Sequence, residues 1–350
     1  VAIAKLRDKL SQEGVAAFLV TDMVNIRYLS SFTGSSAFLL ITPHETFFVT
    51  DSRYEEQAVY QMPGDYQLKT LKAGGKLSDF IKEVGCASLA LEDSVTLSRF
   101  NRLKEALEGV DFHIWKGTVE VLRQRKRKEE FDKIKGAVAV AQEAFRKLVG
   151  GLVPGAVERD FALELEFLMR KSGAEAAAFD FIVASGDRSY LPHGIASSKI
   201  IEEGDMVVVD FGARWQGYHS DISRTFKMGE WQPWERDLYK VILEAQEAAI
   251  KCLKPGMKAC EIDGAARQVI KDAGYGEFFG HGLGHGVGLE IHEKPSLSPA
   301  SEDILEEGMV FTLEPGIYLP GKGGVRIEDM VYLDSQGPQV ITTLEKEVFL

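Results

Sequence analysis

Cysteine is scarce in this 350-residue chain: only Cys86, Cys252 and Cys260 occur, an odd number with no Cys-x-x-Cys spacing. That argues against a disulfide framework and fits a reducing compartment. No apolar run reaches about 18 residues, so no membrane-spanning helix is expected. Basic residues are outnumbered, 41 Lys and Arg against 53 Asp and Glu, for a net charge of −12. A nucleic-acid partner is not expected, because there is no cationic excess to neutralise phosphates. No signal-peptide pattern is visible. The opening VAIAKLRDKL reads as an amphipathic helix, and it lacks Met, so a few residues are expected to precede it. These absences point to a cytoplasmic globular protein. The acidic excess leaves open a role in holding cations rather than only facing water.

Hydrophobic residues make up 45% of the chain and include 20 Phe, ample material for a packed core. The length suggests two domains. Over residues 1–118, helical patterns (about 2–12, SRYEEQAVYQ, SRFNRLKEALEG) alternate with short apolar runs (VAAFLVT, AFLLIT, TFFVTD, SLALE), which predicts an α/β domain. A basic run, RQRKRK, follows and is expected to be a solvated linker face. The domain boundary is placed there, giving 1–121 and 122–350. Beyond it, helices are expected from the basic run to about 150, over 158–173, about 233–252 and about 259–273. Strands lie between and after them without strict βαβ order, which makes the second domain α+β.

Within that domain, IIEEGDMVVVDFG (200–212) echoes ILEEGMVFTLEPG (304–316). Laying Gly204 on Gly308 places Asp210 on Glu314, which suggests two related halves. Each strand then reads as one arm of a β-hairpin. Asp210 and Asp221 are symmetric about Trp215–Gln216, and Glu314 and Glu328 about Gly321. Residues equidistant from a hairpin turn face each other, with Cβ atoms about 4.5–5.5 Å apart. Each hairpin therefore sets two acids side by side on an apolar strand. Burial would make their repulsion worse, and a shared proton or a metal ion would relieve it. The bland alternative is a loose hairpin with its acids in solvent.

Residues 280–295 read GHGLGHGVGLEIHEKP. Glycine at every second position disfavours a helix and favours an extended strand that other backbone can approach closely. On such a strand His281 and His285 share a face, and His292 has the opposite parity unless a bulge or turn intervenes. Four carboxylates with one imidazole form a donor set suited to Mn²⁺, Co²⁺, Fe²⁺ or Zn²⁺, and to two ions more readily than one. Two such ions can support hydrolysis. His44, His113 and His219 are given no role.

DFG-x8-DISRTF, HGLGHGVGLEIHE, TLEPGIY and VRIEDM together resemble the pita-bread metallopeptidases: methionine aminopeptidase, aminopeptidase P, Xaa-Pro dipeptidase (prolidase) and creatinase. NIRYLSSFTGSSAFLLIT and FVTDSRYEEQA are similar to the creatinase/prolidase N-terminal domain, so the resemblance covers nearly the whole chain. It implies an α+β pita-bread fold with pseudo-twofold halves, preceded by an α/β N-terminal domain. It also implies two divalent metal ions, Mn²⁺ or Co²⁺ foremost, held by Asp210, Asp221, His285, Glu314 and Glu328, with Asp221 and Glu328 bridging. Glu314 would shuttle the proton of the attacking water, and a hydroxide held between the metals would be the nucleophile. His193 would line the site near the substrate amide, while His281 and His292 would contact substrate and stabilise the tetrahedral intermediate. Arg326 would support the site or bind a substrate carboxylate.

Methionine aminopeptidases generally lack such an N-terminal domain, and creatinase has lost metal ligands. The remaining relatives cleave before Pro, and microbial prolidases match the length and motif wording more closely. The expected activity is hydrolysis of Xaa-Pro dipeptides, with aminopeptidase P acting on longer Xaa-Pro peptides as the alternative. A non-catalytic peptide-binding module of the same fold is the alternative of another class. Both peptidases are usually dimers, so the resemblance also implies a homodimer.

Overall fold

The computed structural model describes residues 1–346 and divides the chain into two compact units, Val1–Arg123 and Gln124 onward. The first unit has strands Ala17–Val20 (β1), Ala37–Ile41 (β2), Thr46–Asp51 (β3), Gln67–Leu71 (β4), Ser88–Glu92 (β5) and Asp111–Trp115 (β6). They form one mixed sheet in the order β4-β3-β2-β1-β5-β6. Helices Ala2–Glu13 (α1), Met23–Ser30 (α2), Glu55–Gln61 (α3), Leu77–Val84 (α4), Leu97–Ala106 (α5) and Thr118–Gln124 (α6) connect and flank it. The expected strands are all present, together with β4, β6, α2 and α4, which the apolar-run reading does not find.

The basic run is a solvated face only in part: Arg125, Arg127 and Lys128 are exposed, whereas Arg123 and Lys126 are buried. Arg123 is buried and donates from Nη1 to Asn25 Oδ1 at 2.9 Å. Lys126 pairs with Glu293 at 2.7 Å, with side-chain exposures of 1% and 6%. Composition marks a run as charged, but it does not reveal which members find a buried partner far away in sequence.

The second unit is built as two echoing halves. One half contributes helices Lys128–Leu148 (α7) and Glu158–Lys171 (α8), then strands Ala176–Ala177 (β7), Ile182–Ser185 (β8), Met206–Phe211 (β9), Ala213–Trp215 (β10), Tyr218–His219 (β11) and Ile222–Lys227 (β12). The other contributes Pro233–Cys252 (α9) and Ala259–Asp272 (α10), then Gly284–Gly286 (β13), Glu293–Leu297 (β14), Val310–Leu313 (β15), Gly316–Leu319 (β16), Gly323–Arg326 (β17), Asp329–Asp334 (β18) and Gly337–Val340 (β19). The sequence echo recurs in the backbone. Gly204 and Gly308 both turn with positive φ, +88° and +91°, where a side chain would be strained. The residue before α8, Val157, bridges to Ile200, and the residue before α10, Lys258, bridges to Ile304. α9 and α10 are amphipathic and press Leu238, Ile242, Ile262, Ala266 and Ile270 into a core shared with Phe311, Leu313 and Val331.

The two hairpins meet through Arg224, a fully buried guanidinium. Its five N–H groups are all accepted: Nε by Glu345 O at 3.1 Å, Nη1 by Ser223 O at 2.9 Å and Glu328 O at 2.6 Å, and Nη2 by Asp329 Oδ1 at 2.8 Å and Leu344 O at 2.7 Å. Removing one partner of such a pair strands the other charge, which typically costs about 3–5 kcal/mol. Arg224→Met is therefore expected to lower the urea midpoint of this unit markedly. An unchanged midpoint would show that the pair contributes nothing net.

Candidate active site

The hairpins place the acids, though not all in the expected register. In the second half, Leu313 pairs with Asp329 and Gly316 with Arg326. Glu314 and Glu328 fall between these pairs, opposite each other as the symmetry about Gly321 predicts. In the first half, Asp210 pairs with Ser223, not Asp221. The turn lies one position later, at Gln216–Gly217, where φ is 49° and 83°, the left-handed pair of a type I′ hairpin. Asp221 is therefore diagonal to Asp210 on the same face. The expected direct opposition is corrected, and the shared face is retained.

The glycine-rich stretch is strand only over Gly284–Gly286, not throughout. Its glycines permit close backbone approach: a Cβ on Gly284 would sit 2.0 Å from Thr312 O, and one on Gly286 2.1 Å from Lys294 O. A register shift between His285 and Gly286 and the turn beyond reverse the chain. His292 thereby returns beside His285, with ring centroids 4.4 Å apart.

All nine sequence-derived residues, His193, Asp210, Asp221, His281, His285, His292, Glu314, Arg326 and Glu328, line one cavity of about 480 Å³. Phe179, Ile195 and Ile291 supply apolar wall. The volume lies within the range of small-molecule pockets. At its floor, ligand atoms of Asp221, His285 and Glu328 lie within 4.8 Å of one another. His285 Nε2 is 3.5 Å from Asp221 Oδ2 and 3.5 Å from Glu314 Oε1. His285 Nδ1 is 3.1 Å from Gly286 O. A carbonyl only accepts, so Nδ1 carries the proton and Nε2 presents a lone pair to two carboxylates.

The electrostatics are those of crowded acceptors. Burial pushes the Glu314 carboxyl up to about 8. Burial, then the neighbouring Glu328 and Asp210 charges, raises Asp221, and burial, then Glu314 and Asp210, raises Glu328. Burial also raises Asp210, against the pull of Arg326. Burial, with His292 nearby, lowers His285 to about 4, so the ring is neutral near pH 7 and suited to ligation. Asp210 Oδ1 is buried without a hydrogen-bond partner. Buried polar atoms are rarely left so. Four carboxylates, one of them with an orphaned oxygen, and one neutral imidazole fit divalent cations.

Sequence reasoning missed Tyr318 and Ser223. Arg326 donates from Nη2 to Asp210 Oδ2 at 2.8 Å, from Nη1 to Tyr318 Oη at 2.9 Å and Pro192 O at 3.0 Å, and from Nε to Ser223 Oγ at 2.8 Å. Ser223 Oγ in turn donates to Glu328 Oε2 at 2.8 Å. The guanidinium is 3% exposed and engaged with the site itself, as in the supporting role of the two implied for it. Tyr318 Oη also lies 3.0 Å from His281 Nε2, whose other nitrogen is 2.7 Å from Gly282 O. Both His281 nitrogens are thus engaged internally, and burial lowers its pKa to about 4. The strand alternation Gly316, Tyr318 opposite Arg326, Gly324 was a signal available in the sequence.

Residues 132–335 match the model of metallopeptidase family M24, and residues 3–125 match the creatinase/prolidase N-terminal domain. The chain belongs to metallopeptidase family M24. As an M24 chain it is a metal-dependent peptidase with the pita-bread fold. It is 38% identical to the Xaa-Pro dipeptidase of Pyrococcus furiosus, over 99% of each chain. Its structure is similar to that of an Xaa-Pro dipeptidase from Bacillus anthracis, with 43% identity, TM-score 0.96, and 99% and 98% of the two chains covered. It is also similar to the X-Pro aminopeptidase of Thermotoga maritima, with 41% identity, TM-score 0.90, and 96% and 97% covered. Family membership implies divalent metal ions, in agreement with the donor set of this M24 site. Among the described residues no helix is long and apolar enough to cross a membrane.

Proposed function

We propose that this chain is an Xaa-Pro dipeptidase that hydrolyses the imide bond with a pair of divalent cations. The observation that carries the reading is the convergence of acceptor-only groups, with Asp210 Oδ1 unpartnered, at the floor of a cavity with apolar walls. Asp210, Asp221, His285, Glu314 and Glu328 would hold the ions, with Mn²⁺ or Co²⁺ foremost. When bound, such ions supply a hydroxide nucleophile near neutral pH and polarise the scissile carbonyl.

The remaining chemistry belongs to side chains. Glu314 takes the proton of the attacking water and delivers it to the proline nitrogen as that bond breaks. His292 and His193 line the cavity and offer donors to the developing oxyanion. Arg326, through Asp210 and Tyr318, holds the site together. A proline after the scissile bond has no amide N–H, so recognition rests on shape, and Phe179, Ile195 and Ile291 provide it. By resemblance the protein is a homodimer. Its three cysteines are unpaired, which suits the cytoplasm.

The similarity to an X-Pro aminopeptidase supports a second reading, release of the first residue from longer Xaa-Pro peptides. Assay of Ala-Pro against Ala-Pro-Ala with Mn²⁺, Co²⁺ and Zn²⁺ separates them. We expect kcat/KM for the dipeptide to exceed that for the tripeptide by at least about tenfold, a difference of about 1.4 kcal/mol. Efficient tripeptide cleavage would favour the aminopeptidase.

A further inference from the structure

One fully buried carboxylate has no place in this chemistry. Glu158 opens α8, and its side chain is 0% exposed. Its Oε1 accepts from the amide and the hydroxyl of Ser185, each at 2.8 Å. Its Oε2 accepts from the Ser197 amide at 3.1 Å, the Ser197 hydroxyl at 2.7 Å, and Arg188 Nη1. An ionised carboxylate has about four lone-pair sites, so five donors saturate it. Ser185 ends β8, and Ser197 begins the return of the chain. One carboxylate thus closes the base of segment 186–196.

That segment carries Pro192, His193 and Ile195, all of which line the cavity. Arg188 braces it from within, donating from Nη2 to Ile195 O at 2.9 Å. Beside Ser197, Ala196 N donates to Phe181 O at 3.1 Å, and Ile195 bridges to Ile182. These backbone contacts do not depend on Glu158. Losing the carboxylate therefore loosens the segment at its base rather than detaching it.

We propose that Glu158 is a positioning residue for substrate affinity: through Ser185, Arg188 and Ser197 it sets His193 and Ile195 against the cavity without touching substrate. The inference rests on the peptidase reading of that cavity. Its energetic basis is the Arg188–Glu158 pair, in which the carboxylate is fully buried and the guanidinium 24% exposed, so that removing Arg188 leaves a buried charge without its counter-ion. Small misplacements of binding groups are costly to catalysis even when caused at a distance.

The test uses the full-length, metal-loaded protein and four variants: Glu158→Gln, Arg188→Met, Ser197→Ala and Ser197→Thr. It measures KM and kcat on Ala-Pro, metal content, and hydrogen–deuterium exchange across 186–197. For Glu158→Gln and Arg188→Met we expect KM to rise about tenfold, kcat to stay within about threefold and metal content to hold, the pattern of lost binding rather than lost transition-state contact. Faster exchange should be confined to that segment. Ser197→Thr keeps the hydroxyl and should behave as wild type, whereas Ser197→Ala should move in the same direction as Arg188→Met. If Glu158→Gln does not fold, Arg188→Met and Ser197→Ala decide. Unchanged KM with unchanged exchange would overturn the proposal, as would parallel loss of kcat and metal. If the wild type cleaves no Xaa-Pro bond, the functional reading fails separately, and unchanged exchange in the variants would still refute the positioning role of Glu158.

Discussion

Glu314→Gln is expected to fold, and to lose turnover of Ala-Pro by about a thousandfold, within the range for a general acid–base group. The substitution keeps the size of the side chain and removes its capacity to take a proton. The residue is well placed to show this. It is held by its amide N–H to Leu283 O at 2.7 Å, and its carboxyl sits 3.5 Å from His285 Nε2. Proline leaves as a secondary amine, so the nitrogen must be protonated as the bond breaks, and no other carboxylate is placed in that role here. Steady-state kinetics with a far-UV spectrum of the variant checks the expectation. Turnover within about tenfold of wild type would remove Glu314 from proton transfer.

Chelation is expected to destabilise the protein, and to do so more at high pH than at low. The sign follows from the carboxyl groups. Burial holds the Glu314 pKa at about 8 in the folded, metal-free chain, against an ordinary value of 4.5. Asp221 and Glu328 are raised in the same direction, by burial and by the charges of neighbouring carboxylates. Between the unfolded and folded pKa values the folded state binds more protons than the unfolded one, so stability falls as pH rises. The contribution is fully present below about 4.5 and is lost as pH climbs through about 8. Bound cations replace those protons. At free metal a thousandfold above Kd they add about 4 kcal/mol. For a unit of this size that corresponds to roughly 10 °C in Tm. Thermal melts with EDTA or with Mn²⁺, taken near pH 5 and near pH 8 on the scale of these pKa shifts, should show the gap widening with pH. A metal-free Tm that rises from pH 5 to 8 would contradict the placement of the acids.

Much of this site was legible because its chemistry is tied to hairpin symmetry. Glu314 and Glu328 could be paired from the sequence because the turn around Gly321 is symmetric and the strands on both sides keep one register. Asp210 and Asp221 could be brought together but not placed, because the turn residues are Gln216 and Gly217 and the registry moves by one position. No periodicity argument sees which residues adopt positive φ. His292 escaped the parity rule because a register shift and a turn intervene. Arg123 and Lys126 read as solvated because their partners, Asn25 and Glu293, lie about 100 and 170 positions away in sequence.

In the first unit, the strands found were those with long apolar runs, β1, β2, β3 and β5, which are the interior strands of the sheet. Those missed, QLKTL and DFHIW, are its two edges. An edge strand has less to bury and so keeps polar residues. Tyr318 and Ser223 were missed for another reason. Their task is to orient Arg326, His281 and Glu328, and only coordinates show which polar side chains face one another.

The central claim is that the five ligands enclose a pair of divalent cations. Crystals grown with Mn²⁺ and measured at the manganese absorption edge test it directly. The account predicts two anomalous peaks, both bounded by Asp210, Asp221, His285, Glu314 and Glu328. Anomalous density elsewhere, or none among these five side chains in a Mn²⁺-saturated crystal, would contradict it.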